Sequence, residues 1–319
     1  LANEEASLTE PIIIDTDPGQ DDAFAILLAL ASPELEVLGL TTVAGNVPVA
    51  VTAANARRVV ELAGRPEIPV RAGCERPLLR PARFAEEVHG KTGLDGWDFP
   101  APARPPEPGH AVDWMVETLL ARPDGATTLL PVGPLTNVAM ALRRCPAIVR
   151  KIRRIVLMGG GFFQGGNMSP AAEFNILVDP DAAAIVFGAG IDLVAVPIDC
   201  TYAAPTPDSW IADLAALGTQ VGAAGAGMMR FFQRFGNEKY GTATRPLHDA
   251  LAVGYLLWPE LFTGRRCNVE IETASLLTLG MTVVDWWGIS GRAANGLWLT
   301  GCDAPVFYGR MLERLARLG

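Results

Sequence analysis

The chain has 319 residues, half of them hydrophobic and 19% charged, enough to bury a large core within a single domain over 1–319. A formal net charge of −9 and no basic patch argue against nucleic acid or an anionic membrane as partner, leaving a neutral or cationic small ligand. The five cysteines show no C-x-x-C spacing, residues 1–10 are too polar for an export leader, and no apolar run approaches the ~18–20 residues of a membrane span, so a cytoplasmic chain with ordinary buried thiols is expected.

Pro11-Ile-Ile-Ile-Asp15 reads as a short buried strand, Pro18-Gly19 breaks it, and the apolar run from about Asp22 to Ala31 is long enough for a helix packed on all sides. Glu36–Val43 is a second strand, ending in Ala44-Gly45-Asn46 before a helix through about Ala63. The same order returns with strands at Ile68–Ala72, Thr127–Val132, Ile152–Met158 and Ile191–Ile198. Such alternation predicts an α/β fold: an open, mostly parallel sheet flanked by helices, with a Rossmann-like core. In that architecture ligands sit beyond the carboxyl ends of strands, where this chain places Asp15 to Asp22, Asn46, the Pro131-Val132-Gly133 turn and the loop after Met158.

Residues 76–109, rich in Pro, Gly and charge around His89, predict a long surface loop over those strand ends. Residues 218–247, with Gly-Ala runs leading into Phe231-Phe232 and Tyr240, predict a second loop, and either is a candidate lid. A helix-like run, Ala250–Leu257, follows His248-Asp249. In the C-terminal third, Leu276–Val284 and Gly296–Thr300 are strand-like and Ala304–Leu318 helical.

Four carboxylates, Asp15, Asp17, Asp21 and Asp22, crowd the first strand-to-helix loop. One would suffice to cap the helix; four repel one another unless a cation or placed donors compensate. Oxygen ligands without nearby Cys or His point to Ca²⁺ or Mg²⁺ rather than zinc. Asp249, at a second helix start beside His248, is a candidate distant ligand. His89 either touches a ligand or is an exposed loop histidine. Asn167, Glu173 and Asn175 follow the Gly159–Gly166 loop, but no Walker or dinucleotide fingerprint accompanies it, and phosphate would fight the local acidity. They read as hydrogen-bond partners for hydroxyls, with turn and cap roles as the alternative. Trp97, Trp286 and Trp287 read as packing or interface residues.

Asp15-Thr-Asp-Pro-Gly-Gln-Asp-Asp-Ala23, Ala44-Gly-Asn46, Leu157-Met-Gly-Gly160, Ala172-Glu-Phe-Asn-Ile176 and His248-Asp249 together resemble the inosine-uridine-preferring nucleoside hydrolases, in order, from about residue 11 to about residue 285. The resemblance implies a Ca²⁺-dependent N-ribohydrolase with an open α/β nucleoside hydrolase fold, homodimeric or homotetrameric, serving nucleoside salvage. It implies that Asp17, Asp22 and Asp249 ligate Ca²⁺ by side chains, joined by the backbone carbonyl of Val132, with Asp15 supporting the site. Asp21, Asn46, Asn167, Glu173 and Asn175 would hold the ribose with Met158 packed against it, and Asp249 and His89 would also face the substrate. His248 would meet the base as leaving-group acid, and a histidine there resembles the inosine-uridine or pyrimidine-preferring branches more than the purine-specific one.

An N-glycosidic bond breaks through an oxocarbenium-like state, so a site must favour positive charge on the sugar and negative charge on the base. The expected route is inverting attack by a Ca²⁺-held water on a ribonucleoside, with Asp17 as base, giving free base and ribose. Two rivals stand beside it. One is a Mg²⁺-dependent phosphohydrolase using the Asp15/Asp17 pair, weakened by Pro18-Gly19 and the lack of a lysine partner; the other is a non-catalytic nucleoside or ribose binding protein.

Overall fold

Ile12, Ile13 and Ile14 are all fully buried, because the strand that carries them is covered on both faces. The computed structural model describes residues 9–240 and 245–318, and among these the side chains of all but 235–240. The strands are β1 (Glu10–Thr16), β2 (Leu35–Thr42), β3 (Val70–Ala72), β4 (Thr127–Pro131), β5 (Ile152–Met158), β6 (Leu193–Val196), β7 (Phe262–Ile271), β8 (Thr282–Asp285) and β9 (Gly296–Cys302). They form one sheet in the order β3-β2-β1-β4-β5-β6-β9-β7-β8. Pairing is parallel from β3 through β9, and antiparallel where β7 meets β9 and β8. The expected α/β class and its mostly parallel sheet are therefore present.

From β1 the chain steps outward to β2 and β3, then crosses to the other side of β1 as β4. The strand order reverses there, and the crevice beyond the carboxyl ends of β1 and β4 is where such sheets bind ligands. Asp15 pairs with Pro131 at that boundary. Ile12 and Ile14 face a cluster built with the helices Gln20–Leu30, Val49–Leu62, His248–Leu257 and Ala304–Leu315. Ile13 faces the opposite cluster, with the helices Ala111–Leu120, Thr136–Arg144 and Pro180–Phe187. The period-2 alternation of a strand thus divides three adjacent isoleucines between two cores. All eleven residues of the helix Gln20–Leu30 are buried, and it packs against the helix His248–Leu257.

The expected loop at 218–247 is overturned. Gln220–Tyr240 is a helix of 21 residues. Its Gly-Ala content, which reads as loop by propensity, serves close packing instead: a Cβ at Gly227 would lie 2.4 Å from the carbonyl oxygen of Gly96. The side chains of Phe235 to Tyr240, and residues 241–244, lie outside the described residues, so a lid at Tyr240 does too. Residues 76–109 do form a long connection over the strand ends, interrupted only by the short helix Glu86–His89. The expected strand Leu276–Val284 shrinks to β8, because its partner β7 pairs only through Asn268–Ile271; Leu276 and Leu277 are exposed in the preceding turn. Long β7 itself carries exposed residues over its first half and gave no apolar run. Cys200 and Cys267 are buried, whereas Cys74, Cys145 and Cys302 are half-buried at element ends, and all five are free. Trp97 and Trp286 pack against the two cores and Trp287 is exposed. Among the described residues no helix is long and apolar enough to cross a membrane.

Candidate active site

A cleft with about 600 Å³ of space opens over the carboxyl ends of β1 and β4. Its floor is the first loop. β1 ends at Thr16, and Asp17, Pro18 and Gly19 turn the chain into the helix Gln20–Leu30, whose first turn carries Asp21 and Asp22. The helix His248–Leu257 starts beside it with Asp249 in its own first turn. Two helix N-termini therefore meet at the floor, and their dipoles favour negative charge there.

Asp22 is held by four donors. Thr16 Oγ1 (2.5 Å) and the Asp17 amide (3.2 Å) donate to Oδ1; the Gly19 amide (3.0 Å) and Asn46 Nδ2 (3.2 Å) donate to Oδ2. Asp17 lies beside it, its Oδ2 accepting from the Asn46 amide at 2.6 Å. Gly45 and Gly133 make room for this carboxylate: a Cβ at either would come within 2.0 Å or 2.3 Å of an Asp17 oxygen. Carboxylate oxygens of Asp21, Asp22 and Asp249 lie within 4.8 Å of one another, all three residues buried. Asp21 thus stands in the converging trio, with Asp17 adjacent to it rather than within it. Asp15 does not line the cleft; it lies beneath, accepting from Thr41 Oγ1 (2.6 Å) and Asn137 Nδ2 (2.8 Å).

Burial raises every one of these groups. Asp15 rises to about 7 by desolvation alone, against its two donors. Asp21 reaches about 7 through burial and the charge of Asp22, partly offset by Arg245. Burial, then neighbouring carboxylates, hold Asp17 and Asp249 well above the usual range. Asp22 is raised by burial against its donors. The Asp21 Oδ1 and Asp15 Oδ2 atoms are buried without a hydrogen-bond partner. Such a cluster of hard oxygen donors, repelling and incompletely satisfied, fits a divalent cation, which would reverse the sign of these shifts.

The walls come from other strand ends. Val132 follows β4, and its carbonyl accepts from Asn175 Nδ2 at 2.9 Å; the same amide reaches the Met158 carbonyl (3.2 Å) and Met158 Sδ (3.4 Å) at the end of β5. Glu173 caps the helix Phe174–Val178, accepting from the amides of Asn175 and Ile176, and also from Gly160. Asn167 Oδ1 accepts from the Phe174 amide. Asn167 and Glu173 thus have the cap and turn bonds given as the alternative, yet both still line the cleft with Asn175. Burial raises Glu173 to about 7 against those amide bonds.

The remaining wall holds two imidazoles. His248 opens its helix and places Nδ1 2.7 Å from Thr201 Oγ1, with the Tyr202 ring edge-on at 5.7 Å. His89 ends the helix Glu86–His89, is only 7% exposed, and lines the cleft. Burial, then the positive charge of Arg245, pushes both histidines down to about 3, so both are neutral at pH 7. Phe232 and Arg245 complete the wall, the guanidinium 4.7 Å over the phenyl ring. All of the expected ligand and substrate residues, Asp17, Asp21, Asp22, Asn46, His89, Val132, Met158, Asn167, Glu173, Asn175, His248 and Asp249, line this one cleft. Arg245, Thr201 and Gln20 were missed, and Phe232, named only within the expected loop, lines the cleft from a helix. Arg245 alone had a signal, three residues ahead of His248 in the same approach to the helix.

An open α/β sheet thus carries, at its switch point, a cleft that pairs a buried carboxylate cluster with two imidazoles, and its lining among the described residues has no serine or cysteine. The chain belongs to the inosine-uridine preferring nucleoside hydrolase family, whose sequence profile matches residues 12–309. It is accordingly a hydrolase of the N-glycosidase type. It is 49% identical over 307 residues to an uncharacterized protein of Schizosaccharomyces pombe (strain 972 / ATCC 24843), covering 96% of this chain and 99% of that one. It is 44% identical over 310 residues to the pyrimidine-specific ribonucleoside hydrolase RihA of Shewanella sp. (strain ANA-3), covering 97% of each. The solved structure of a purine-preferring ribonucleoside hydrolase from Gardnerella vaginalis has a TM-score of 0.91 at 30% identity, covering 97% of this chain and 99% of that one.

Proposed function

We propose that this protein is a Ca²⁺-dependent ribonucleoside hydrolase that releases free base and ribose with inversion. The observation that carries this is the buried cluster of Asp17, Asp21, Asp22 and Asp249, the last three with oxygens within 4.8 Å of one another, on a cleft floor walled by His248. Asp17, Asp22 and Asp249, with the Val132 carbonyl, would hold the cation, and Asp21 would turn to the ribose. A divalent cation held there would supply Lewis acidity and positive charge beside the sugar.

The chain's own groups do the rest. Asp17 has one oxygen tied to the Asn46 amide, leaving Oδ1 to take the proton of the attacking water. Positive charge among the carboxylates returns Asp17 to the ionised form that a base needs. Asn46, Asn167, Glu173 and Asn175 orient the ribose hydroxyls, and Met158 covers the sugar. Surrounding carboxylates favour the oxocarbenium charge as the bond to the base breaks. On the other side His248 meets the leaving base with a hydrogen bond or proton, and His89 lies near it.

The Asp15 nucleophile of the phosphohydrolase alternative is not supported, because Asp15 is 1% exposed and lies beneath the cleft. A relative 44% identical is named as pyrimidine-specific and one 30% identical as purine-preferring, which ranks uridine and cytidine ahead of inosine as first substrates. A homodimer or homotetramer is supported by exposed Leu276, Leu277, Trp287 and Ile289 around β8, and free cysteines agree with a reducing compartment. The test is a panel of ribonucleosides assayed for free ribose with and without chelator. Release of ribose from uridine that stops on chelation and returns with Ca²⁺ is expected; release unaffected by chelator would overturn the metal role, and none at all the activity.

A further inference from the structure

Gln20 is the first residue of the helix Gln20–Leu30, fully buried, and separates the Pro18-Gly19 turn from Asp21. Its side chain points away from the carboxylates, into the loop that carries His89. Nε2 donates to the His89 carbonyl at 3.1 Å and to the Asp95 carbonyl at 3.0 Å, which uses both of its hydrogens. Turning the amide over would set Oε1 against those two carbonyl oxygens, so the orientation is fixed by its partners. Oε1 can only accept, and it lies 2.7 Å from His89 Nδ1. The imidazole must therefore carry its proton on Nδ1.

The ring has little freedom to escape this. Phe232 stacks on it at 5.6 Å with 28° between planes. It also crowds Gly19, where a Cβ would lie 2.3 Å from Nδ1. Burial and Arg245 keep the ring neutral, so Nε2 is a bare lone pair, and no side chain or backbone group among the described residues is hydrogen-bonded to it. We propose that Gln20 is a positioning residue that locks His89 in the Nδ1–H tautomer, so that Nε2 is offered to the cleft as an acceptor for an O–H or N–H group of the bound nucleoside. The structural part stands on the hydrogen-bond inventory; its use in recognition rests on the ribonucleoside reading above.

With only three histidines in the chain, ¹⁵N-histidine labelling gives a direct readout. Long-range ¹H–¹⁵N spectra, assigned with His89→Gln, should show His89 protonated at Nδ1 and bare at Nε2. Gln20→Met, which keeps the length and loses the acceptor, should abolish that pattern. In parallel, kcat/KM is compared for uridine, 5′-deoxyuridine and 3-methyluridine, which separate a sugar O–H from a base N–H as the donor. Wild type should lose at least about tenfold on one analogue, and Gln20→Met should lose most of that discrimination while affecting the other analogue no more than uridine. A proton on Nε2 in the wild type, or a Gln20→Met protein with an unchanged nitrogen spectrum and unchanged discrimination, overturns the proposal. A wild type inactive on every nucleoside removes the functional reading, and the spectra then decide the tautomer alone.

Discussion

The Thr201 hydroxyl lies 2.7 Å from His248 Nδ1, and both residues are buried at the cleft wall. With the hydroxyl fixing one nitrogen, the other is free to meet the leaving base. His248→Ala is expected to slow uridine by about 10²–10⁴-fold and p-nitrophenyl riboside, whose leaving group needs no proton, far less. Thr201→Val should show the same selectivity at smaller size, with Thr201→Ser restoring it. Equal losses on both substrates would take His248 out of the leaving-group role.

Asp17→Asn keeps an acceptor for the Asn46 amide but can no longer take a proton. Turnover is expected to fall at least about 10³-fold while circular dichroism stays that of the wild type. Substantial residual kcat would place the base elsewhere.

Without divalent metal, the carboxylates in and beneath the cleft bind protons more tightly folded than unfolded. Asp15, Asp21 and Glu173 stand at about 7, with Asp17, Asp22 and Asp249 also raised. Between pH 4 and 7 the native state holds the extra protons, so stability falls as pH rises through this window. His89 and His248, lowered to about 3, act in the opposite sense between pH 3 and 6.5, but they are two groups against six. The Tm in EDTA should therefore be higher at pH 5.5 than at pH 8, and Ca²⁺ should raise it more at pH 8. A chelated protein more stable at pH 8 would contradict the shifts.

A site that hydrogen-bonds a 2′-hydroxyl leaves its own buried polar groups unpaired when that hydroxyl is missing. Uridine is expected to exceed 2′-deoxyuridine in kcat/KM by up to about 10⁴-fold. Comparable values would move the sugar contacts away from the carboxylates.

Asn137 bridges three strand ends from beneath: Nδ2 donates to Asp15 Oδ1 and to the Thr42 carbonyl, and Oδ1 accepts from the Cys74 amide. Asn137→Ala leaves these buried groups unpaired and should cost about 2–4 kcal/mol, measured by urea unfolding. A loss under 1 kcal/mol would show that water replaces the amide.

The strands around the switch point and the aspartates of the first loop were legible because each is local, while the rest of the cleft came from the family resemblance. An apolar run followed by Pro-Gly and clustered aspartates marks strand, turn and charge within a dozen residues. The helix Gln220–Tyr240 was not, since its Gly and Ala residues are chosen for contacts with Gly96 and other distant groups. Gln20 shows the same limit on a smaller scale. Its position in the aspartate loop suggested nothing, because its partners lie in the loop of His89 and Asp95. Nor could the pattern place Asp21 rather than Asp17 in the converging trio, which depends on how two helices abut.

Asp21 and Asp249 lie far apart in the chain and reach the floor together because the helices Gln20–Leu30 and His248–Leu257 pack directly against one another. A growing chain that has not yet reached the second helix has the acidic loop but lacks Asp249, so the three carboxylates converge only once the last third of the sequence has begun to fold onto the first.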